Sequence, residues 1–333
     1  MDNLKIINNN LDKLVFEGIP MFIEDITIEN RMSDAILFSG YPRNEYDIND
    51  ENLYITKRKV CLSKAISIAK TFLKMINDEY CLLFEELIKN NKFEFIKTID
   101  IHESSMFCAQ DGKDIIKIYT LGNIQDVFSI VHEFMHYTNA RHEVLNEVSS
   151  YYTEAISNFI ELLLTDYLID NFPNYKKDAL KTKRSIYISL YERNIETKIL
   201  IELIKLKIDG KTISKYDVFN IIKLINCYCP NLSLIEEALN KTIELILEDA
   251  EDTFIVTSRD TIGIVLGSYM YELSKNKHFF KEIFELNDNL NKFYCAEVLT
   301  YLNLDLKENV FDLTNDSYGM IFKSYKKQLK NIW

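Results

Sequence analysis

The sequence predicts a mostly α-helical fold with one small β-hairpin, on three observations. Its 333 residues include only eight glycines and four prolines, so few positions interrupt a helix. Apolar residues recur every three or four positions along most of the chain, which is the period of amphipathic helices. The pair Asp111-Gly112, between two β-prone runs, is a turn signal typical of a hairpin.

The helical period begins near Val60, and two helices fit the stretch from Val60 to Lys97. The predicted hairpin follows, from Ser105 to Thr120. Helical patterning then continues almost without pause to the end of the chain. The expected helices cover 124–141, 144–171, 175–192, 194–208, 214–226, 232–249, 258–275, 278–303 with a break, and 316–330.

The composition excludes several classes of protein. Asp and Glu outnumber Lys and Arg by 51 to 39, and the net charge of −12 disfavours nucleic acid or anionic membrane as a partner. The first residues lack the apolar core of a signal peptide, and charges interrupt every apolar stretch before it could span a membrane. We therefore expect a cytoplasmic protein, with its six scattered cysteines as reduced thiols.

One motif carries chemistry: His132-Glu133-Phe134-Met135-His136, the H-E-x-x-H pattern of zinc proteases. On a helix, residues four apart project from one face, so the two imidazoles can bind a single Zn²⁺. Glu133 then lies beside the metal, where it can take a proton from the attacking water and pass it to the leaving amine. The motif predicts a zinc-dependent peptide hydrolase.

A catalytic zinc site needs a third protein ligand, and two residues compete for that place. The preferred one is Glu154, on the helix expected to pack against the motif helix after a turn near 141–146. Glu154, Ser157, Asn158 and Glu161 form a polar stripe on an otherwise apolar helix. Such a stripe indicates a ligand with polar groups that support it from behind.

The rival third ligand is His142. The spacing His132-x3-His136-x2-Asn139-x2-His142 differs by one residue from the metzincin string, which has Gly where this chain has Asn139. Asn tolerates the left-handed backbone that this position requires, so the alternative stays open. Metzincins also need a Met-containing turn, and the later methionines, Met270 and Met320, lie in or beside helical patterns.

The stretch from Ser105 to Tyr167 resembles the metallopeptidase family of thimet oligopeptidase and oligoendopeptidase F, gluzincins that cut short peptides. The likeness lies in Met106-Phe-Cys, in the lead Leu121-Gly-Asn-Ile-Gln-Asp-Val-Phe into the zinc motif, and in the run Glu154-Ala-Ile-Ser-Asn-Phe-Ile-Glu161. The resemblance implies a zincin-type helical metallopeptidase, with a small edge sheet beside the motif helix and one zinc ion. By position, His132, His136 and Glu154 would be the zinc ligands, Glu133 the base and Glu161 a supporting acid.

The resemblance also implies where a substrate lies and what stabilises the oxyanion. A peptide would pair its backbone with an edge strand, here Ser105, Met106, Phe107 and Cys108. The family brings tyrosines from a late helix to the oxyanion, and in this chain Thr257 and Thr261 stand where those tyrosines are expected. The available substitutes are Tyr269, Tyr271 and Arg259. Met135 also departs from the family, which has Gly there.

These features give a first hypothesis and three alternatives. The first is a zinc endopeptidase acting on short peptides or unfolded protein segments, with no nucleic acid or membrane partner and an oligomeric state that the sequence does not define. The alternatives are a metzincin-like protease that uses His142, an inactive peptide-binding or regulatory protein, and a protease toxin with one dedicated substrate. Residues 1–58 are expected to be an N-terminal extension, and residues 59–333 one helical domain in two lobes with an active-site core at about 105–170.

Overall fold

The residues that the structure describes are mostly helical, with one small sheet between the second and third helices. The computed structural model describes residues 12, 14, 15, 58–100, 105–110, 113–140, 147–209, 211–228 and 232–275. The helices are α1 (Leu62–Ile76), α2 (Asp78–Lys89), α3 (Gln125–Ala140), α4 (Glu147–Asn171), α5 (Lys176–Ile208), α6 (Lys215–Tyr228), α7 (Leu232–Glu248) and α8 (Ala250–Ser274). The strands are β1 (Phe93–Lys97), β2 (Met106–Gln110) and β3 (Lys113–Thr120), and a short 3₁₀ turn spans Pro173–Tyr175.

The first two helices form from the periodic apolar residues seen in the sequence. In α1 the buried side chains share one face: Ala65, Ile68, Ala69, Phe72 and Leu73. Asn77 separates the two helices, and its side-chain oxygen accepts a hydrogen bond from the backbone N–H of Glu79, which caps the start of α2. The polar cap between two amphipathic stretches is why the chain forms two helices here.

The sheet has three strands in the order β1-β3-β2. Strands β2 and β3 pair antiparallel, with Cys108 opposite Ile115, which confirms the predicted hairpin. Strand β1 pairs parallel to β3, with Phe93 opposite Ile116. Strand β2 therefore lies at one edge of this sheet, and α3 packs against β3 and β2. The predicted turn residues, 111 and 112, lie outside the described residues.

Four predicted helices differ from those observed. The second predicted helix was extended to Lys97, but α2 ends at Lys89 and β1 follows, because Phe93–Lys97 is rich in β-prone residues and pairs with β3. Asn91 turns the chain between them with φ 53, a conformation that Asn tolerates. The two helices predicted at 175–192 and 194–208 are one continuous helix, α5. Helix α8 begins at Ala250, eight residues before the predicted start.

The chain divides into two compact units, each formed from three stretches of sequence. The site unit, as we name it, comprises Asp50–Ile186, Leu266–Tyr294 and Met320–Trp333, and the second unit comprises Met1–Asn49, Tyr187–Val265 and Cys295–Gly319. The predicted division at residue 58 stays a prediction, and the predicted helices at 278–303 and 316–330 lie outside the described residues.

An aromatic cluster forms part of the core of the site unit. The Phe84 ring contacts those of Phe93 and Phe134 at centroid distances of 5.3 and 5.7 Å, which joins α2, β1 and α3. Tyr80 meets Phe134 edge-on at 6.0 Å. Helix α3 is thus held on the side that Phe134 occupies, one residue after Glu133.

Among the described residues, no helix has both the length and the apolar character needed to cross a membrane. The cytoplasmic location stays a prediction.

Candidate metal centre

The start of α3 is fixed by a buried carboxylate. Asp126, 1% exposed, accepts hydrogen bonds from the backbone N–H groups of Leu121 and Gly122 at 2.8 and 2.9 Å. Gly122 has φ +72, a conformation that favours glycine. Its carbonyl accepts a hydrogen bond from the N–H of Val60 at 2.9 Å. These contacts tie the end of β3 to the first turn of the helix that carries the histidines.

The two histidines of the motif project from one face of α3. Their Nε2 atoms lie 3.0 Å apart, and their side chains are 21% and 18% exposed for His132 and His136. The spacing of four residues places them one turn apart, as the sequence predicts. Two ring nitrogens so close together, partly reachable from solvent, can act as ligands of the same ion.

Glu154 on α4 faces this pair. One carboxylate oxygen lies 3.8 Å from Nε2 of His132 and the other 3.6 Å from Nε2 of His136. Nitrogen and oxygen ligands at ordinary zinc distances, arranged as a tetrahedron, lie about 3.3 Å from one another. The observed separations are close to that value, and His132, His136 and Glu154 together could hold a metal ion.

A second carboxylate orients His132 from behind. Oε1 of Glu161 lies 2.9 Å from Nδ1 of His132, on the side of the ring opposite Nε2. Such a contact fixes the orientation of the imidazole and directs Nε2 toward the metal position. Two further polar residues lie beside it on α4. The Oγ of Ser157 is 3.5 Å from the carbonyl oxygen of His132, and the Asn158 amide donates to the carbonyl of Glu154 at 2.8 Å.

The charges around His132 change its affinity for protons. Burial lowers the pKa of His132, but the hydrogen bond to Glu161 and the negative charges of Glu161, Glu133 and Glu154 outweigh burial and raise the pKa to about 10. The metal-free imidazole is therefore protonated at neutral pH. A cation of higher charge, placed among the same carboxylates, would take the place of that proton.

Glu133 and Met135 are both buried residues of α3. Glu133 is 7% exposed, and its negative charge helps to raise the pKa of His132, so its carboxylate lies near the proposed ligands without belonging to the three-residue group. Met135 is fully buried, and its carbonyl accepts a hydrogen bond from Thr138 at 2.8 Å. Its side chain therefore fills core volume at the position where the resembling family has Gly.

The structure gives Tyr271 partners away from the histidines. Its hydroxyl donates to Oδ2 of Asp166 at 2.5 Å and accepts from Nζ of Lys183 at 2.7 Å. Asp166 lies twelve residues after Glu154 on the same helix, which corresponds to about 18 Å along its axis. The Tyr271 hydroxyl is therefore not among the groups gathered around the proposed metal position.

Tyr269 and Arg259 are also accounted for. Gly267 contacts α4, and Tyr269, two residues later, projects about 200° around α8 from it, on the side away from that contact. Burial raises the pKa of the Tyr269 hydroxyl. Arg259 belongs to the second unit, where it bonds the neighbouring carboxylate of Asp260 at 3.1 Å. A role for either residue at an oxyanion stays a prediction.

The predicted substrate strand coincides with most of β2. Ser105 precedes the strand, and its Oγ accepts a hydrogen bond from the N–H of Tyr119 at 3.1 Å. Met106 is 44% exposed, and Cys108 is partly exposed. The rival ligand, His142, lies outside the described residues.

The sequence analysis did not single out Asp126, Asp166, Lys183 or Gly267. A signal for Asp126 was available, since an acidic residue in the first turn of a helix is favoured by the helix dipole. Lys183 and Asp166 lie on different helices, 17 residues apart, so no short motif could have paired them.

Comparison with solved structures gives the fold. No protein-family model matches the sequence, and no curated protein matches it significantly. A candidate peptidase from Chlamydophila abortus is similar in structure, with a TM-score of 0.62 and 14% identity over 97% of this chain and 57% of that one. A candidate oligoendopeptidase F from Bacillus anthracis gives a TM-score of 0.56 and 11% identity over 96% of this chain and 55% of that one.

PZ peptidase A, solved with an inhibitor, is similar at a TM-score of 0.55 and 12% identity, over 96% of this chain and 59% of that one. This chain therefore spans somewhat more than half the length of the solved structures it matches. At these identities the likeness concerns the fold alone. The protein has the helical fold of oligoendopeptidase F-like peptidases, as the resemblance implied.

Proposed function

We propose that this protein is a zinc-dependent metalloendopeptidase that cuts short peptides or flexible protein segments. One observation carries the proposal: the nitrogens of His132 and His136 and the carboxylate of Glu154 converge within 4.8 Å of one another. The fold in which they converge is also that of peptidases. The metal-binding group, the buried Glu133 beside it and the peptidase fold occur together, and this combination favours a catalytic zinc site over a chance cluster.

His132, His136 and Glu154 would hold the zinc ion. The donor set of two imidazoles and one carboxylate is that of known catalytic zinc sites, which leave a fourth position for water or substrate. When bound, the zinc would supply a Lewis acid that makes water more acidic and polarises a carbonyl group. Glu161 keeps the ring of His132 in place through its 2.9 Å contact with Nδ1.

Glu133 would act as the proton carrier of the reaction. Its carboxylate is buried beside the ligands, where it can accept the proton of the attacking water and deliver it to the amine that leaves. Removal of the negative charge by Glu133→Gln keeps the shape of the side chain and eliminates its function as a base.

A peptide substrate would lie along β2. This strand is at an edge of the sheet, and α3, which carries the histidines, packs against it. An extended peptide can add to such an edge by backbone hydrogen bonds, which do not depend on its sequence. We therefore propose peptides of many sequences, in extended form, as substrates.

A peptide-binding protein without turnover is the second candidate, and one observation favours it. The hydroxyl of Tyr271, one of three groups that could have stabilised an oxyanion, is bonded to Asp166 and Lys183 instead. In that case the protein would bind zinc and peptides and leave them intact.

Hydrolysis of a quenched fluorescent peptide library separates the two candidates. We expect purified, zinc-loaded wild type to cut peptides, and Glu133→Gln to lose at least about 1,000-fold in kcat/KM because the base is gone. Glu94→Gln, a change of the same kind at an exposed position of β1, is the matched control and should keep full activity. Intact peptides with zinc-loaded wild type would favour the binding protein. Equal activity of Glu133→Gln and wild type would contradict the proposed role of Glu133.

A further inference from the structure

Helix α8 touches α4 backbone to backbone at Gly267. A Cβ atom placed on this glycine would lie 2.6 Å from the carbonyl oxygen of Ala155, 2.9 Å from Cβ of Asn158 and 3.0 Å from the amide nitrogen of Phe159. The first separation is about 0.8 Å short of the 3.4 Å at which ordinary van der Waals contact begins. Two of the three atoms belong to the backbone, so they cannot move aside without moving the helix.

The contact falls on the turn of α4 that carries Glu154. Ala155 is the next residue, and its carbonyl and the amide of Phe159 are the partners of one helical hydrogen bond. Asn158 belongs to the same turn and donates to the carbonyl of Glu154 at 2.8 Å. Consecutive residues project about 100° apart, so Glu154 faces the histidines while the backbone beside it rests on Gly267.

A second contact between the same helices lies one turn later on α8. Tyr271 is on the same face as Gly267, and its hydroxyl donates to Asp166 of α4 at 2.5 Å. Lys183, whose side chain is fully buried, donates to both groups, at 2.7 Å to Tyr271 and 3.0 Å to Asp166. The two contacts lie on either side of the position of Glu161, so they restrict both sliding and rotation of α4.

We propose that α8 positions the metal ligand Glu154 through Gly267 and Tyr271, which makes both of them positioning residues. The inference rests on the proposed metal site. Metal ligands tolerate displacements of only about 0.5 Å. A methyl group at position 267 would force the helical turn that carries Glu154 to move farther than that. Removal of the Tyr271 hydroxyl would loosen the same helix farther from the ligand, so its effect on the metal is expected to be smaller.

The test is the affinity for Zn²⁺ of wild type, Gly267→Ala and Tyr271→Phe, measured by competition with a chromophoric chelator. Each protein is also titrated with Co²⁺, whose visible absorption reports ligand geometry. We expect Gly267→Ala to bind Zn²⁺ about 10- to 100-fold more weakly, with an altered Co²⁺ spectrum. Tyr271→Phe should bind severalfold more weakly.

Ile243→Ala is the control for loss of stability alone. Ile243 is fully buried in α7, in the second unit, so this change leaves a cavity far in sequence from any proposed ligand. We expect it to lower the melting temperature with an unchanged zinc affinity. A folded Gly267→Ala protein with the affinity and Co²⁺ spectrum of wild type would overturn the inference.

Two outcomes need separate treatment. If Gly267→Ala does not fold, Tyr271→Phe decides: a weaker zinc affinity supports the inference, and an unchanged one overturns it. If wild type itself binds no zinc, the proposed function fails first, and this result differs from one in which wild type binds zinc and the variants bind it equally well.

Discussion

At the scale of single residues, His132 shows how the surrounding charges prepare a site for a cation. Three carboxylates, those of Glu161, Glu133 and Glu154, raise its pKa against the effect of burial. Without a metal, the proton on His132 partly neutralises these charges. The contribution of this group to stability is therefore complete below pH 6.5 and is lost as the pH rises toward 10.

Zinc binding should accordingly release protons. At pH 7 we expect about one proton per ion from His132, and a zinc affinity that rises about tenfold per pH unit below the raised pKa. Calorimetric titrations in buffers with different ionisation enthalpies measure the release directly. Glu161→Gln should reduce the release at pH 8, because the pKa of His132 falls toward its ordinary value. Zinc binding without any proton release would contradict this account of His132.

Lys198 gives an independent prediction at the same scale. Burial, together with the nearby charge of Lys205, lowers the pKa of this 6% exposed side chain to about 8, although the charge of Glu202 opposes the shift. Between pH 8 and 10.5 the unfolded chain binds more protons at this residue than the folded one, so the contribution of Lys198 to stability rises with pH. Removal of the Lys198 amine should then increase the free energy of unfolding most at neutral pH.

Lys198→Met should stabilise the protein by about 1–3 kcal/mol at pH 7 and by little above pH 10.5. Urea unfolding at both pH values measures the difference. Lys223→Met, at an exposed position of α6, is the matched control and should change stability little at either pH. A destabilised Lys198→Met protein at pH 7 would contradict the lowered pKa of Lys198 on which this prediction rests.

At the scale of elements, the junction between β3 and α3 determines where the histidines lie. Asp126 accepts two backbone N–H groups that would otherwise be unpaired. Asp126→Ala should therefore cost about 1–3 kcal/mol of unfolding free energy. Asp126→Asn keeps one acceptor oxygen and should cost less. Chemical denaturation measures the loss of unfolding free energy in both variants. Equal losses would mean that the hydrogen bonds accepted by the carboxylate oxygens do not determine the stabilising effect of Asp126.

Elements that depend on nearby residues could be predicted from the sequence, and elements that depend on distant partners could not. The hairpin and the helices α3 and α4 follow from turn residues and apolar periodicity, which act within a few positions. Strand β1 was missed because its five residues form a strand only by pairing with β3, more than 20 residues later. The predicted break at 193 is absent, because Arg193 lies within α5 and pairs there with Glu196 one turn later and with Asp260 of α8.

The residues of the site also differ in how far the local sequence determines their positions. The pair His132 and His136 can be predicted from one helix, because four residues make one turn. Glu154 is predicted from the polar stripe on its helix and is supported by the resemblance, because its proximity to the histidines depends on how two helices pack. The partners of Tyr271 could not be predicted, because Asp166 is 105 residues away in the chain and nothing in the local sequence specifies the pairing.

At the scale of the whole molecule, the comparisons describe a chain with the fold of oligoendopeptidase F-like peptidases and a little over half their length. The proposed ligands, their supporting carboxylate and the edge strand all belong to the site unit. Metal binding should thus stabilise the site unit by the binding free energy, which is about 2.7 kcal/mol at a free zinc concentration 100 times the Kd. A melting temperature unchanged by zinc would contradict this expectation.

The most direct test of the central claim is the zinc stoichiometry and affinity of wild type, Glu154→Ala and His142→Ala, determined by equilibrium dialysis with metal analysis. We predict one tightly bound zinc ion per chain in wild type and in His142→Ala. In Glu154→Ala we expect zinc to be lost at concentrations that saturate wild type. Zinc retained by Glu154→Ala and lost from His142→Ala would contradict the proposed centre and assign the third ligand to His142.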